Sequence, residues 1–239
     1  VMNTDNMALS GETIDYGPCA FMDDYDPDTV FSSIDRHGRY AYDKQPEIAR
    51  WNLARLAEAM LPLLHEDEKN AVDLANEALG NFQDIFQGHW LAGMRSKLGL
   101  ITEETGDATL IQELLDWMLA SHMDFTNTLR TLSDESAITQ APYVDSGFFS
   151  WHEAWTSRLT RQPQSPAEVV KTMRVHNPAV IPRNHKVEEA LTAAVDHEDL
   201  NLMRRLLDVV SHPYTDTGSS EFTSPPPPGT GSYQTFCGT

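Results

Sequence analysis

The stretch Gln45-Pro46-Glu47-Ile48-Ala49-Arg50-Trp51-Asn52-Leu53-Ala54-Arg55-Leu56-Ala57-Glu58-Ala59-Met60-Leu61-Pro62-Leu63 decides the fold class. Ile48, Trp51, Leu56, Met60 and Leu63 recur at spacings of three to five, which predicts one apolar stripe of a helix. Pro46 suits the first helical turn, where its missing N–H breaks no hydrogen bond. Further stripes follow at Ala71–Leu79, Phe82–Leu98, Leu110–Met118, Phe148–Leu159, Ala167–Met173, Val187–Val195 and Leu200–Val210. Breakers separate them: Gly99, Gly106, Pro142, Gly147, Pro163, Pro166, Pro178 and Pro182. Asp107 and Ser165 suit N-caps. The expectation is a mainly α assembly with short connections, its aromatic stripes serving as core.

The two ends read differently. Asn3–Leu9 and Thr13–Pro18, around Ser10-Gly11-Glu12, predict two short strands and a turn, closed by Gly17-Pro18. From Asp23 to Asp28 the chain is acidic, and it stays loop-like through Arg36-His37-Gly38-Arg39. Residues 215–232 turn to Thr, Ser, Gly and the run Pro225–Pro228, a linker-like composition, before Tyr233-Gln234-Thr235-Phe236-Cys237. Three regions are therefore expected: 1–45, a helical 46–214, and a flexible tail 215–239.

With 239 residues and 40% hydrophobic side chains, the chain can bury roughly 70–75% of its unfolded surface, which excludes wholesale disorder. Its 36 acids against 17 bases, a formal charge of −19, exclude a general binder of nucleic acid or anionic membrane. No apolar run approaches the roughly 20 residues of a membrane span, and no signal peptide opens the sequence. Two cysteines, Cys19 and Cys237, are too few for a disulfide scaffold and form no zinc pattern, and the nine histidines are scattered. A reducing, cytosol-like compartment is the default. The start at Val1 instead of Met is compatible with a piece of something longer.

Asp5, Asn6 and Asp15 are the strongest chemical signal. Two carboxylates and an amide oxygen on adjacent short segments are hard ligands that suit Mg²⁺, with Mn²⁺ the alternative. Protein kinases place an aspartate near the attacking hydroxyl, an asparagine on a metal, and a second aspartate before Phe-Gly. Asp15-Tyr16-Gly17 can stand for the last of these, although Asp5 and Asn6 are adjacent where a kinase separates the pair. By spacing alone, a polar hairpin with a turn aspartate remains open. Asp24-x-Asp26-x-Asp28 is no EF-hand, because Thr29 and Asp35 stand where that loop needs Gly and Glu. No Gly-x-Ser-x-Gly elbow is present.

Val1-Met2-Asn3-Thr4-Asp5-Asn6-Met7, Thr13-Ile14-Asp15-Tyr16-Gly17-Pro18 and Asp23-Asp24-Tyr25-Asp26-Pro27 resemble the selenoprotein O family. Gly38-Arg39-Tyr40-Ala41-Tyr42-Asp43, Gln45-Pro46, Trp51-Asn52-Leu53, Asn177-Pro178 and Pro182-Arg183-Asn184 continue the resemblance, and Lys44 stands where Asn is expected. The resemblance implies a pseudokinase-like protein with a protein-kinase-like large lobe, whose β hairpin lies at the metal site. It also implies transfer of AMP from ATP to Ser, Thr or Tyr hydroxyls of protein substrates, releasing pyrophosphate. Carried over, Asp5 is the general base, Asn6 and Asp15 hold the metal, and Asp15 also faces the nucleotide. Members carry a redox-active residue near the C-terminus, so Cys19 and Cys237 are expected to form a reversible disulfide. The nucleotide-binding lobe, with its glycine-rich loop and cationic clamp, lies upstream in that family. Residues 1–35 agree, holding eight acids and no Lys or Arg. The chain is thus expected to be the C-terminal part of a monomeric adenylyltransferase, inactive alone, cytoplasmic in a bacterium or mitochondrial in a eukaryote. The rival reading is a catalytically dead helical scaffold for protein partners; a phosphotransferase with compressed spacing is a third. Arg39, Tyr40, Tyr42 and Asp43 suit either substrate holding or packing, and Asn184 suits a helix cap.

Overall fold

A computed structural model describes residues 1–12, 20–216, 218 and 220–227. Among these it contains nine α-helices and no strand; the only β contact is one isolated antiparallel bridge, Asp24 to Asp124. The mainly helical expectation holds. The hairpin does not hold in its first arm, because Thr4–Asn6 coils into a 3-10 turn closed by Asn6 N–H to the Asn3 carbonyl at 3.1 Å. The second arm, Thr13–Pro18, lies outside the described residues, as do Asp15, Cys19 and Cys237.

The chain divides into two compact units: Phe21–Asp26 joins the residues from Leu91 onward in the second, and one boundary falls inside a helix, between Trp90 and Leu91. In the first unit, α1 (Gln45–Leu64) packs against α2 (Glu68–Gly80), and α3 (Phe82–Lys97) begins. Alanines 49, 71 and 75 are buried in these helices. The stripe expected on α1 is only partly buried: Ile48 is covered, whereas Trp51, Met60 and Leu63 are exposed. Trp51 instead offers its ring to the Arg39 and Arg55 guanidiniums, each 5.0 Å from its centroid. Such contacts contribute roughly 0.5–1 kcal/mol apiece at exposed sites. Ahead of α1 the loop 27–44 is tied by its own backbone, with Tyr42 N–H on Thr29 O and Asp43 N–H on Pro27 O, both at 3.0 Å.

The second unit holds α4 (Asp107–Ala120), α5 (Phe125–Thr131), α6 (Ser146–Leu159), α7 (Pro166–His176), α8 (Asn184–His197) and α9 (Asn201–Val210). Its core is the packing of α4 on α6. An aromatic ladder runs Trp117–Phe148–Trp151–Trp155, with centroids 4.8, 5.7 and 5.6 Å apart. Each buried indole finds an acceptor: Asp145 for Trp117, Leu110 O for Trp151 and Leu98 O for Trp155. That satisfaction matters because an unpaired buried donor costs about 1–3 kcal/mol.

Ser165 caps α7 in a full capping box with Glu168, as expected. Asp107 is no cap. It is the first residue of α4, and its fully buried carboxylate binds Arg95 and Arg158, each at 2.7 Å. Burial works to raise its pKa, but hydrogen bonds from Arg158, the Glu104 N–H and Arg95 hold it below the ordinary value. The tail also differs from a free linker in its described part. Phe222 is buried with Val180, Ala190 and Leu206 against α8 and α9, beneath the Arg205 guanidinium, which also pairs with Glu221.

Candidate active-site turn and its braces

Asp5 and Asn6 sit on the 3-10 turn of the first unit, Asp5 exposed and Asn6 half-buried. One side chain braces that turn from α1. Asn52 is buried, and its Nδ2 donates to the Met2 carbonyl and to Met7 Sδ, both at 2.8 Å. Met2 and Met7 bracket Thr4–Asn6, so a single amide fixes both ends of the turn. A helix interior is a rigid platform for such a brace, since its backbone groups are already paired.

Asn6 Nδ2 donates to the Val1 carbonyl at 2.8 Å. The amide orientation is thereby set, and Oδ1 is left without a hydrogen bond among the described residues. An amide oxygen next to a carboxylate is the hard donor set that Mg²⁺ or Mn²⁺ accepts, with water completing the shell. These two residues fit a divalent ion on donor chemistry. No cluster of three or more His, Cys, Asp or Glu side chains suited to a metal occurs among the described residues. Asp15, the expected third oxygen ligand, lies outside them.

The segment Phe21–Asp26 is fixed inside the second unit. Phe21 exchanges two hydrogen bonds with Asn184: its N–H donates to Oδ1 at 3.0 Å, and its carbonyl accepts from Nδ2 at 2.9 Å. Asn184 therefore does not cap α8, whose first residue it is. Tyr25 N–H to Met123 O at 2.9 Å and Phe125 N–H to Asp23 O at 2.8 Å make the antiparallel bridge. The Tyr25 and Phe125 rings stack over it at 5.7 Å.

Arg183 closes this lock. Its side chain is 1% exposed; Nη1 donates to Asp23 Oδ1 and Asp124 Oδ2, both at 2.6 Å, and Nη2 donates to Thr223 O at 3.1 Å. Burial disfavours its charge, yet the hydrogen bond and attraction from Asp124, then Asp23, hold its pKa above the ordinary value. Asp124 serves twice, since it also caps α5 through the Asn127 N–H at 2.7 Å. Asp24, the residue beside this pair, has its pKa raised, first by burial and then by repulsion from Asp124.

Residue type alone marks Asp5 and Asn6, whereas it gives Arg183 no role and Asn184 only that of a helix cap. It misses Asn52 as a brace and the Asp23–Arg183–Asp124 lock. The carboxylate partners of Arg183 lie 160 and 59 positions away, and only the spacing-free hint of Arg-Asn after Pro182 points there. Arg39, Tyr40, Tyr42 and Asp43 all belong to the loop before α1; burial raises the Tyr42 pKa.

The profile of the family described as Protein adenylyltransferase SelO matches residues 1–211 of the chain. Curated relatives named Protein nucleotidyltransferase YdiU align along the whole chain. The protein of Alkaliphilus metalliredigens is 55% identical, that of Syntrophotalea carbinolica 54% and that of Nitrosococcus oceani 53%. The chain covers 49% of each, so it spans about half the length of the curated relatives it matches. With a braced Asp-Asn turn and a family match over most of its length, the chain belongs to the protein adenylyltransferase SelO family.

Proposed function

We propose that the chain supplies the proton-accepting and metal-holding half of a protein adenylyltransferase that moves AMP from ATP to Ser, Thr or Tyr hydroxyls. The observation that carries this reading is the Asn52 brace. A buried side chain holds both ends of a turn that carries an exposed carboxylate and a half-buried, pre-oriented amide. A scaffold would have no need for that precision, whereas general-base chemistry depends on it.

In this reading a protein hydroxyl attacks the α-phosphorus of ATP. The Asp5 carboxylate accepts the hydroxyl proton, the new P–O bond forms, and the bond to pyrophosphate breaks. Asn6, with Asp15, would hold Mg²⁺ or Mn²⁺. When bound, the ion supplies neutralisation of the charge on departing pyrophosphate. Asn184 holds the Phe21 backbone, and Arg183 holds the Asp23 carboxylate. The protein is read as monomeric and kinase-like in its large lobe. Among the described residues no helix is long and apolar enough to cross a membrane.

The first 35 residues carry eight acids and no Lys or Arg, so the cationic clamp for a triphosphate must come from elsewhere in the protein. The chain alone is therefore expected to transfer no AMP, and the protein with the further length its relatives carry is expected to transfer it. Transfer by the chain alone would overturn the missing clamp. We also propose a reversible Cys19–Cys237 disulfide that lowers activity. Peptide mapping of the oxidised protein without reductant should give one linked peptide, and two separate cysteine peptides would refute it.

A further inference from the structure

Asp23 and Thr223 stand 200 positions apart, yet one buried guanidinium holds both. Arg183 Nη1 donates to the Asp23 carboxylate at 2.6 Å, and its Nη2 donates to the Thr223 carbonyl at 3.1 Å. α5 joins the same two stretches of chain. Asp124 at its N-cap, Asn127 and Arg130 fall at spacings of three, which sets them along one strip of the helix. Asp124 accepts from Arg183 and bridges to Asp24, while Asn127 Nδ2 donates to Thr223 O at 3.0 Å. Arg130 Nη2 donates to Tyr214 O at 3.2 Å and pairs with Asp216 at 2.7 Å. All of these groups belong to the second unit.

The two stretches are held unequally. Phe21–Asp26 buries Met22 and Tyr25 and is tied through backbone hydrogen bonds to Met123 and Phe125. Between residues 214 and 227, Phe222 is the only buried side chain among the described residues. Its ring sits with Val180, Ala190 and Leu206, beneath Arg205. The other ties are carbonyl oxygens that accept from α5 and Arg183, and two ion pairs with exposed members, Arg130–Asp216 and Arg205–Glu221. A stretch anchored by one buried side chain opens more readily than the core around it. Its opening also changes Arg183, whose side chain is 1% exposed with Thr223 O against it. Losing that carbonyl lets water reach the guanidinium, and the higher local dielectric weakens its attraction for Asp23.

We infer that residues 221–224 form a latch for Phe21–Asp26: docking of Phe222 tightens that segment through Arg183 and Asp124, and release loosens it. The coupling is noncovalent and reciprocal, so loosening Asp23 also favours release of the latch. It requires neither cysteine and does not rest on the adenylyltransferase reading.

Hydrogen exchange read by mass spectrometry on the full-length protein tests the latch, with reductant present so that no disulfide contributes. Phe222→Asp puts a charge in the apolar slot and expels the side chain. Peptides spanning Phe21–Asp26 should then exchange about tenfold faster, an ordinary size for coupling between sites. Peptides spanning α4 should stay within about twofold of wild type. Phe222→Leu refills the slot and should keep wild-type exchange of Phe21–Asp26. The reverse variant, Asp23→Asn, weakens the other end. Peptides spanning 221–224, where the Ser224 N–H donates to Ser220 O at 3.0 Å, should exchange severalfold faster in it. Unchanged exchange of Phe21–Asp26 in Phe222→Asp would overturn the inference, as would an equal acceleration of α4, which means a general loss of packing. Unchanged exchange of 221–224 in Asp23→Asn would remove the reciprocity and contradict the latch as well.

Discussion

Asn184 clasps the backbone of Phe21, 163 residues away in sequence, accepting its N–H at 3.0 Å and donating to its carbonyl at 2.9 Å. Both backbone groups are otherwise those of a loop with no ladder to satisfy them. Asn184→Ala leaves the pair without protein partners, and the expected loss is about 2 kcal/mol in urea unfolding of the chain. A loss under about 0.5 kcal/mol would mean that water replaces the amide at no cost.

Arg183→Met tests the lock that adjoins this clasp. The substitution keeps the aliphatic bulk and leaves Asp23 and Asp124 facing each other without their shared cation. Removing one partner of a buried ionic cluster costs about 3–5 kcal/mol. The expected destabilisation is at the lower end, since Asp23 is 20% exposed and water can reach it. Adding Asp23→Asn to Arg183→Met should recover part of the loss, and simple additivity of the two changes would argue that they do not interact.

Asp107 gives the chain a specific acid sensitivity. Its folded pKa lies below the ordinary 3.8 because hydrogen bonds from two arginines and a backbone N–H outweigh burial. The unfolded chain therefore takes up the proton first as pH falls. The stabilisation from ionised Asp107 is full above the ordinary value and is lost as pH falls through the depressed folded value. Asp107→Asn should cost about 3 kcal/mol at pH 7, and the gap to wild type should narrow below about pH 4. A pH-independent gap in the denaturation midpoints would contradict the ionic account.

Asn52→Asp keeps the shape of the brace and removes both donated hydrogen bonds to Met2 and Met7. In the full-length protein this variant should lose AMP transfer by at least about tenfold in kcat, with a smaller change in the KM for ATP. Asn52→Gln, which reaches further along the same direction, should misplace the turn in the same way. An unchanged kcat in both would show that the turn needs no brace.

The helices were legible because their apolar period repeats over nine or more residues, as in Leu110–Met118 and Phe148–Leu159, and because breakers such as Gly99 and Pro166 mark their ends. α5 was not legible: Phe125–Thr131 is seven residues long and mostly polar, and the side chain that starts it, Asp124, looks like any loop acid. Trp51 kept the right period but not the expected place, since two guanidiniums take its ring at the surface. Asp5 and Asn6 were visible as residue types adjacent in sequence. The groups that hold them and the segment Phe21–Asp26 in place were not, because Asn52, Arg183 and Asn184 reach partners 40 to 163 positions away. Linear spacing carries no trace of such pairs.

The chemistry assigned to Asp5 meets its most direct test in one labelling measurement. The full-length protein, wild type and Asp5→Asn, is incubated with Mg²⁺ and ATP labelled at the α or the γ phosphate, and label on protein is counted. Wild type should transfer the α label alone, and Asp5→Asn should lose at least about a hundredfold of that rate while still binding ATP. Transfer of the γ label, or undiminished α transfer by Asp5→Asn, would contradict the account.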